Sequence, residues 1–393
     1  MKISIREAME LISNYSKSVT ATETVSLFDA CKRVLAQSVI ADIDQPPFDK
    51  SAMDGYACRK ADVPGTLKLN SLIAAGTSSV DTVQEGECIQ ILTGAKVPAG
   101  ADCVIMQELT QTDADGNIVI LEAQNKSNIC YQGEDVQAGQ LLSAIGKRLS
   151  TADLPVLASA GVANPTVYRV PKVGIICTGS EIVDASETPD GAKIRNTNIY
   201  QLWAQIQQYG GEPTYYGIVP DEKESLLTAC QQALQECDML ITTGGASVGV
   251  FDLIPQVFSE LGAEIRFTGV TMQPGSPVLF ASKGEKLLWG LSGNPVSSYL
   301  QFILLTRYSL ARLGGEVIVE KRPIHTLSEP LVRHKKNRDL FVPVCMNDSG
   351  AVYPVKFNGS AHIAALTGIY GFACLPADCL RKEAGDLVEC IVL

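Results

Sequence analysis

Three carboxylates are the residues best placed to do chemistry. Glu181, Asp221 and Asp252 each stand just past the end of an apolar run of the kind that forms a buried strand. Above one sheet edge they would converge on a hard divalent cation such as Mg²⁺, which takes oxygen ligands and leaves positions for substrate phosphates. Singly, each reads as a solvated or capping carboxylate; as a set they read as a site. Glycine-containing segments surround them: Thr178-Gly179-Ser180-Glu181, Thr243-Gly244-Gly245-Ala246-Ser247-Val248-Gly249, Gln273-Pro274-Gly275-Ser276-Pro277 and Leu291-Ser292-Gly293-Asn294-Pro295. Glycine lets a backbone approach a ligand closely, and successive N–H groups can cradle an oxyanion. One such turn is an ordinary strand-to-helix connection, but four at one sheet edge favour a binding site. No strand runs into Gly-x-Gly-x-x-Gly and no glycine run ends in Gly-Lys-Ser/Thr, which excludes a dinucleotide fingerprint and a P-loop.

The elements that must position these residues follow from hydrophobic periodicity. Uninterrupted apolar runs such as Val173–Cys177 and Met239–Ile241 predict parallel strands covered on both faces. They alternate with helical patterns at 198–209, 223–236, 253–261 and 296–313, the last with Asn294 as N-cap and Pro295 at its first position. Residues 171–315 therefore read as a doubly wound α/β domain. Upstream, spacing predicts helices over 5–15, 27–35 and 151–161. Between 44 and 132 short β-type runs (Cys88–Leu92, Cys103–Met106, Asn117–Leu121) are broken by turn residues, as in a small β-barrel or sandwich. Segments 1–43 and 133–170 flank that insertion and form one unit, and 316–393 reads as a C-terminal β domain.

Composition removes several function classes. Lys plus Arg number 32 against 43 Asp plus Glu, a net charge of -11, with a pI near 4.9. So acidic a surface repels a phosphate backbone, which argues against nucleic-acid binding. No apolar run reaches the roughly 18–20 residues of a membrane span, and the opening residues lack a signal-peptide core, so a cytoplasmic protein without membrane contact is expected. The twelve cysteines form no Cys-x-x-Cys pair and only three histidines, His325, His334 and His362, are present. A zinc cluster is not expected, and most cysteines should be buried, reduced and inert.

Several segments together carry a resemblance. Phe48-Asp49-Lys50-Ser51-Ala52-Met53-Asp54-Gly55-Tyr56-Ala57, Leu92-Thr93-Gly94-Ala95 and Gly133-Glu134-Asp135 are followed in order by Thr178-Gly179-Ser180-Glu181, Gly244-Gly245-Ala246-Ser247-Val248-Gly249 and Gly293-Asn294-Pro295-Val296-Ser297. Over nearly its whole length the chain resembles the molybdopterin molybdenumtransferase (MoeA/gephyrin E-domain) family. The resemblance implies an elongated stem (1–43 and 133–170), an inserted β domain (44–132), a molybdopterin adenylyltransferase-like α/β domain (171–315) and a C-terminal β barrel (316–393). It implies a homodimer with each active site built from both chains, and transient contact with a molybdopterin adenylyltransferase. The implied reaction is divalent-metal-dependent hydrolysis of adenylylated molybdopterin, releasing AMP, with insertion of molybdate into the dithiolene. By motif match, Asp54, Thr93, Asp135 and Glu181 would be catalytic, and Glu181, Asp221 and Asp252 would hold the metal. Thr178, Gly179, Gly244, Gly245, Ser247, Gly249, Gly275, Ser276, Gly293, Asn294, Arg338 and Ser360 would bind substrate.

The chain departs from the family pattern at one telling loop. The usual Lys-Pro-Gly-Lys-Pro is Gln273-Pro274-Gly275-Ser276-Pro277, so both cations are gone. The usual Leu-Pro-Gly-Asn-Pro is Leu291-Ser292-Gly293-Asn294-Pro295, and Arg338 is the remaining cation near a family-like position. A charged hydrogen bond contributes about 1.5–3 kcal/mol, so the loss of two would weaken oxyanion binding. That departure motivates an alternative, a non-inserting paralogue that binds molybdopterin or acts as a scaffold. A nucleotide-cleaving enzyme sharing only the α/β domain is opposed by the 170 residues that precede it.

Overall fold

The computed structural model of the chain describes residues 2–19, 21–77, 81–122, 125–244, 253–318, 322–333, 336–357 and 359–393. The first helix, Ile5–Tyr15, starts at a capping box: the Ser4 hydroxyl accepts from the Glu7 N–H, and the Glu7 carboxylate accepts from the Ser4 N–H. Its buried face, Ala8 and Ile12, joins the core of the α/β region far along the chain. The helix expected over 27–35 is only a 3₁₀ turn, Leu27–Asp29. Lys32 takes φ +67° and its N–H donates to the Leu149 carbonyl instead of to a helical neighbour. Leu35 is buried against Leu149 and Leu157, so pairing with the returning segment outweighs local helical periodicity. The return is direct: Thr22–Thr24 pairs antiparallel with Thr166–Tyr168, and Val39–Ile40 with Leu141–Ser143. Helix Asp153–Ser159 falls inside its expected span.

Between these segments lies a six-stranded sheet in the order Cys103–Met106, Gly55–Cys58, Glu87–Ile91, Gly65–Ile73, Ile118–Ile120, Thr110–Thr112. Period-2 alternation sends Tyr56, Cys58 and Ile105 into one apolar cluster and Ala57, Ile89 and Val104 into another.

The α/β sheet runs in the order Glu212–Val219, Lys172–Thr178, Met239–Thr243, Lys286–Leu291, Leu279–Lys283, Glu264–Phe267. The first four strands are parallel and Leu279–Lys283 runs antiparallel to both its neighbours, so the sheet is mixed. On one face Val173, Ile175, Met239, Ile241 and Trp289 pack under helix Asn198–Gln208 and the helical stretch 295–313. On the other, Ile176, Leu240 and Leu288 pack under Lys223–Glu236 and Ile254–Glu260. Both faces are covered, as the apolar runs require. From Lys172–Thr178 the chain crosses to one side of the sheet, and from Met239–Thr243 to the other. The order therefore reverses between these two neighbours, and a crevice opens at their carboxyl ends.

The C-terminal residues form a second sheet, Asp339–Met346, Gly371–Leu375, Leu387–Val392 and Ile324–Thr326. Its edge is completed by Met272–Gln273 from the α/β region, parallel to Asp339–Leu340. All twelve cysteines are free, and seven of them are buried. Burial pushes the Cys177 thiol up to about 11 and the Cys88 thiol up to about 12, so both stay protonated and unreactive.

Candidate active site

The carboxyl ends of the α/β strands face the C-terminal sheet across a cleft of about 700 Å³. Thr178, Glu181, Gly244, Gly293 and Asn294 line it from the strand ends, and Gln273 through Pro277 from the loop. Asn337, Arg338, Phe357, Gly359 and Ser360 line it from the C-terminal domain. The two sides are joined by the Val296 N–H, which donates to the Ser360 carbonyl at 3.0 Å. Among the described lining residues Glu181 and Arg338 are the charged ones.

Close backbone approach builds the crevice. Gly244 has φ +95°, and a Cβ there would sit 2.0 Å from the Thr178 carbonyl oxygen. A Cβ on Gly293 would lie 3.5 Å from the Gly244 Cα. The approach of Gly244 to Thr178 requires glycine, whereas a Cβ on Gly293 would make only ordinary contact. The Thr178 hydroxyl, on a buried residue, donates a short hydrogen bond to Asp221. A Cβ on Gly179 would lie 2.7 Å from Glu181 Oε2, so this carboxylate folds back over its own turn. Glu181 lines the cleft, and Asp221, outside the lining, is bonded to the lining residue Thr178; carboxylate oxygens are the donors that Mg²⁺ takes. Asp252, Gly245, Ser247 and Gly249 lie outside the described residues. Asn294 holds the expected N-cap position, but its side chain makes no capping hydrogen bond and lines the cleft.

Asp54, Thr93 and Asp135 do not line this cleft. Asp54 Oδ1 accepts from both the Thr93 hydroxyl and the Thr93 N–H, each at 2.6 Å. Those two bonds, the hydroxyl first, hold the carboxyl of Asp54 below the usual range. Thr93→Val keeps the N–H and removes the hydroxyl, so Asp54 should titrate at a higher pH than in the wild type. Carbon-13 NMR titration measures this directly, and an unmoved midpoint would show that the hydroxyl contributes nothing. Asp135 is exposed, and its N–H donates to the Gln45 carbonyl at 3.0 Å.

Three residues outside the sequence expectations organise the cleft. Asn198 Nδ2 donates to Thr243 Oγ1 at 2.7 Å and to the Gly293 carbonyl at 2.9 Å. Arg333 donates from Nε to the Cys379 carbonyl at 2.7 Å, from Nη2 to the Pro376 carbonyl at 2.6 Å, and from Nη1 to the Arg338 carbonyl. It thereby ties the Arg338 backbone to a neighbouring loop. Buried Gln301 bonds to both loops of the strand-end side. Gln301 alone left a trace in the sequence, as a lone amide between Leu300 and Phe302 in an apolar helical stretch.

Comparison with known proteins gives this cleft a context. The model of the "MoeA N-terminal region (domain I and II)" matches residues 3–161, and that of a "probable molybdopterin binding domain" matches residues 174–312. A molybdopterin molybdenumtransferase of Bacillus subtilis is 32% identical over 416 residues, covering 100% of this chain and 94% of the relative. The chain belongs to the molybdopterin molybdenumtransferase family. A Staphylococcus aureus member is also 32% identical, over 99% of this chain and 95% of its own length. Among solved structures, the molybdopterin biosynthesis moeA protein of Pyrococcus horikoshii superposes with TM-score 0.86 at 29% identity, over the whole of both chains. The family relationship thus spans the whole chain, from the first helix to the C-terminal sheet. No described helix is long and apolar enough to cross a membrane.

Proposed function

We propose that this chain hydrolyses adenylylated molybdopterin, releasing AMP, and transfers molybdate to the dithiolene in the cleft at the strand ends. The observation that carries the reading is an acid and a cation lining one cleft, Glu181 at the strand ends and Arg338 on the C-terminal wall, with Asp221 bonded to the lining residue Thr178. Glu181, Asp221 and Asp252 would hold a divalent cation, which when bound polarises the phosphate that water attacks. Thr178 fixes the orientation of the Asp221 carboxylate through its hydroxyl. Gly179, Gly244, Gly245, Ser247, Gly249 and Gly293 offer close backbone approach or N–H groups to the substrate phosphates. Gly275, Ser276, Asn294, Arg338 and Ser360 form the side that receives the oxyanion, with Arg338 as its point of positive charge.

Asp54, Thr93 and Asp135 enter the reaction from a second copy. Their absence from the cleft lining of their own chain supports a homodimer with shared sites. The division into a stem (1–43 and 133–170), insertion (44–132), α/β domain (171–315) and C-terminal barrel (316–393) belongs to the same reading, as do a cytoplasmic location and transient contact with a molybdopterin adenylyltransferase. Relationship along the full chain supports the enzyme over the non-inserting scaffold. The decisive assay supplies purified protein with adenylylated molybdopterin, Mg²⁺ and molybdate, then follows AMP release and metal insertion separately. Both activities are expected. AMP release without insertion would confine the chain to the hydrolytic half, and neither activity would sink the reading.

A further inference from the structure

Gln301 is fully buried and does not line the cleft, yet its amide bonds to both loops that do. Nε2 donates to the Gly275 carbonyl at 2.8 Å and the Pro277 carbonyl at 2.7 Å. Oε1 accepts from the Ser292 N–H at 2.8 Å. The carbonyl between them, on Ser276, accepts from the Val270 N–H at 2.9 Å. Three consecutive carbonyls of the 273–277 loop are therefore tied down, in a stretch where Pro274 and Pro277 have no N–H to donate. Gly275, at φ +89°, is needed for the close fit, since a Cβ there would lie 3.1 Å from Gln301 Cγ.

The third bond depends on a feature of this chain. The family's usual segment has proline where this chain has Ser292, and proline carries no N–H. Only a non-proline residue at 292 can satisfy Gln301 Oε1 in this way, and a buried amide oxygen without a donor is costly. The same chain has lost both lysines from the loop that Gln301 holds. We propose that Gln301, together with the Ser292 N–H, is a positioning residue that fixes the anion-facing loop 273–277 against the loop 291–294, so that preorganisation replaces part of the binding that the missing cations would supply. This rests on the reading of the cleft as the molybdate-inserting site.

Gln301→Leu keeps the volume and removes all three bonds. The molybdate concentration for half-maximal insertion should rise about tenfold, because small displacements of positioning groups are amplified in binding. The maximal rate of AMP release should change by less than about threefold, since the acids sit on another loop. Ser292→Pro removes the donor together with the hydroxyl that accepts from the Asn294 N–H at 3.2 Å, so Ser292→Ala, which keeps the N–H, is its control. Leu291 ends a strand, and the extended conformation there accepts a following proline. The double variant should be no worse than the poorer single one, because both break the same link. Hydrogen exchange gives a second readout that needs no activity: the Ser292 and Val270 amides should exchange faster in Gln301→Leu, with the rest of the α/β sheet unchanged. Failure of the wild type to insert molybdate would overturn the functional reading alone, and exchange would still decide the staple. Unchanged exchange at Ser292, additive effects of the two substitutions, or equal losses in AMP release and in molybdate affinity would each overturn the inference.

Discussion

Glu181→Gln should lower AMP release by about a hundredfold, equivalent to about 2.7 kcal/mol of barrier, while leaving the fold intact. The substitution keeps the side-chain size and removes one negative charge from the oxygen donors beside Thr178. Loss of a carboxylate ligand weakens the hold on a divalent cation, so the deficit should shrink as Mg²⁺ is raised without vanishing. Folding should be spared because Glu181 is exposed and its structural bond is made by the backbone: its carbonyl accepts from the Ile194 N–H at 2.8 Å. Substitutions at exposed positions of this kind usually change stability by less than about 0.5 kcal/mol. Thermal unfolding and AMP release, measured on the same preparation across a Mg²⁺ series, separate the two effects. An unchanged rate at saturating metal would remove Glu181 from the mechanism.

The same site shows what a sequence can and cannot disclose. The strand-end segments are legible because glycine and apolar runs report local geometry. Thr178 and Gly244 meet where the topology reverses, and the glycine's type alone marks a close-approach position. The first helix is legible from its period, since Ala8 and Ile12 fall on one face, and the structure adds the Ser4–Glu7 cap. The 27–35 stretch has equal periodicity and forms no such helix, because Lys32 and Leu35 pair with residues more than a hundred positions away. The supports of the cleft are hidden for the same reason. Arg333 acts wholly and Asn198 and Gln301 largely through backbone groups of distant loops, which have no residue type to betray them; only Gln301 shows itself, as a lone amide in an apolar stretch. Asp54 and Thr93 are an intermediate case, a pair whose bond the structure shows but whose place in a shared site depends on a second copy.

Gln273→Lys should tighten molybdate binding by about tenfold at low ionic strength and make it more salt-sensitive. The position suits the test, since Gln273 is exposed, lines the cleft and belongs to the strand that pairs with Asp339–Leu340 beside Arg338. An ammonium about 5 Å from a doubly charged oxyanion in a near-aqueous dielectric gains about 1.7 kcal/mol, nearly twentyfold, before screening, which brings it to about tenfold. Ser276 is a poorer choice for the second lysine. It is only 4% exposed, its hydroxyl is buried with no hydrogen-bond partner among the described residues, and the carbonyls on either side of it are held by Gln301. A lysine there would have to push its chain out through a fixed loop, mixing strain with charge. The single substitution isolates the electrostatic part. Titration calorimetry of wild type and Gln273→Lys with molybdate at two ionic strengths measures it, with sulfate as competitor. The charged variant should gain most at low salt and converge on the wild type as salt rises, because exposed charges are screened over about 8–10 Å at physiological strength. Equal affinities at both strengths would place the oxyanion away from this loop and leave Arg338 and Ser360 as its remaining candidates.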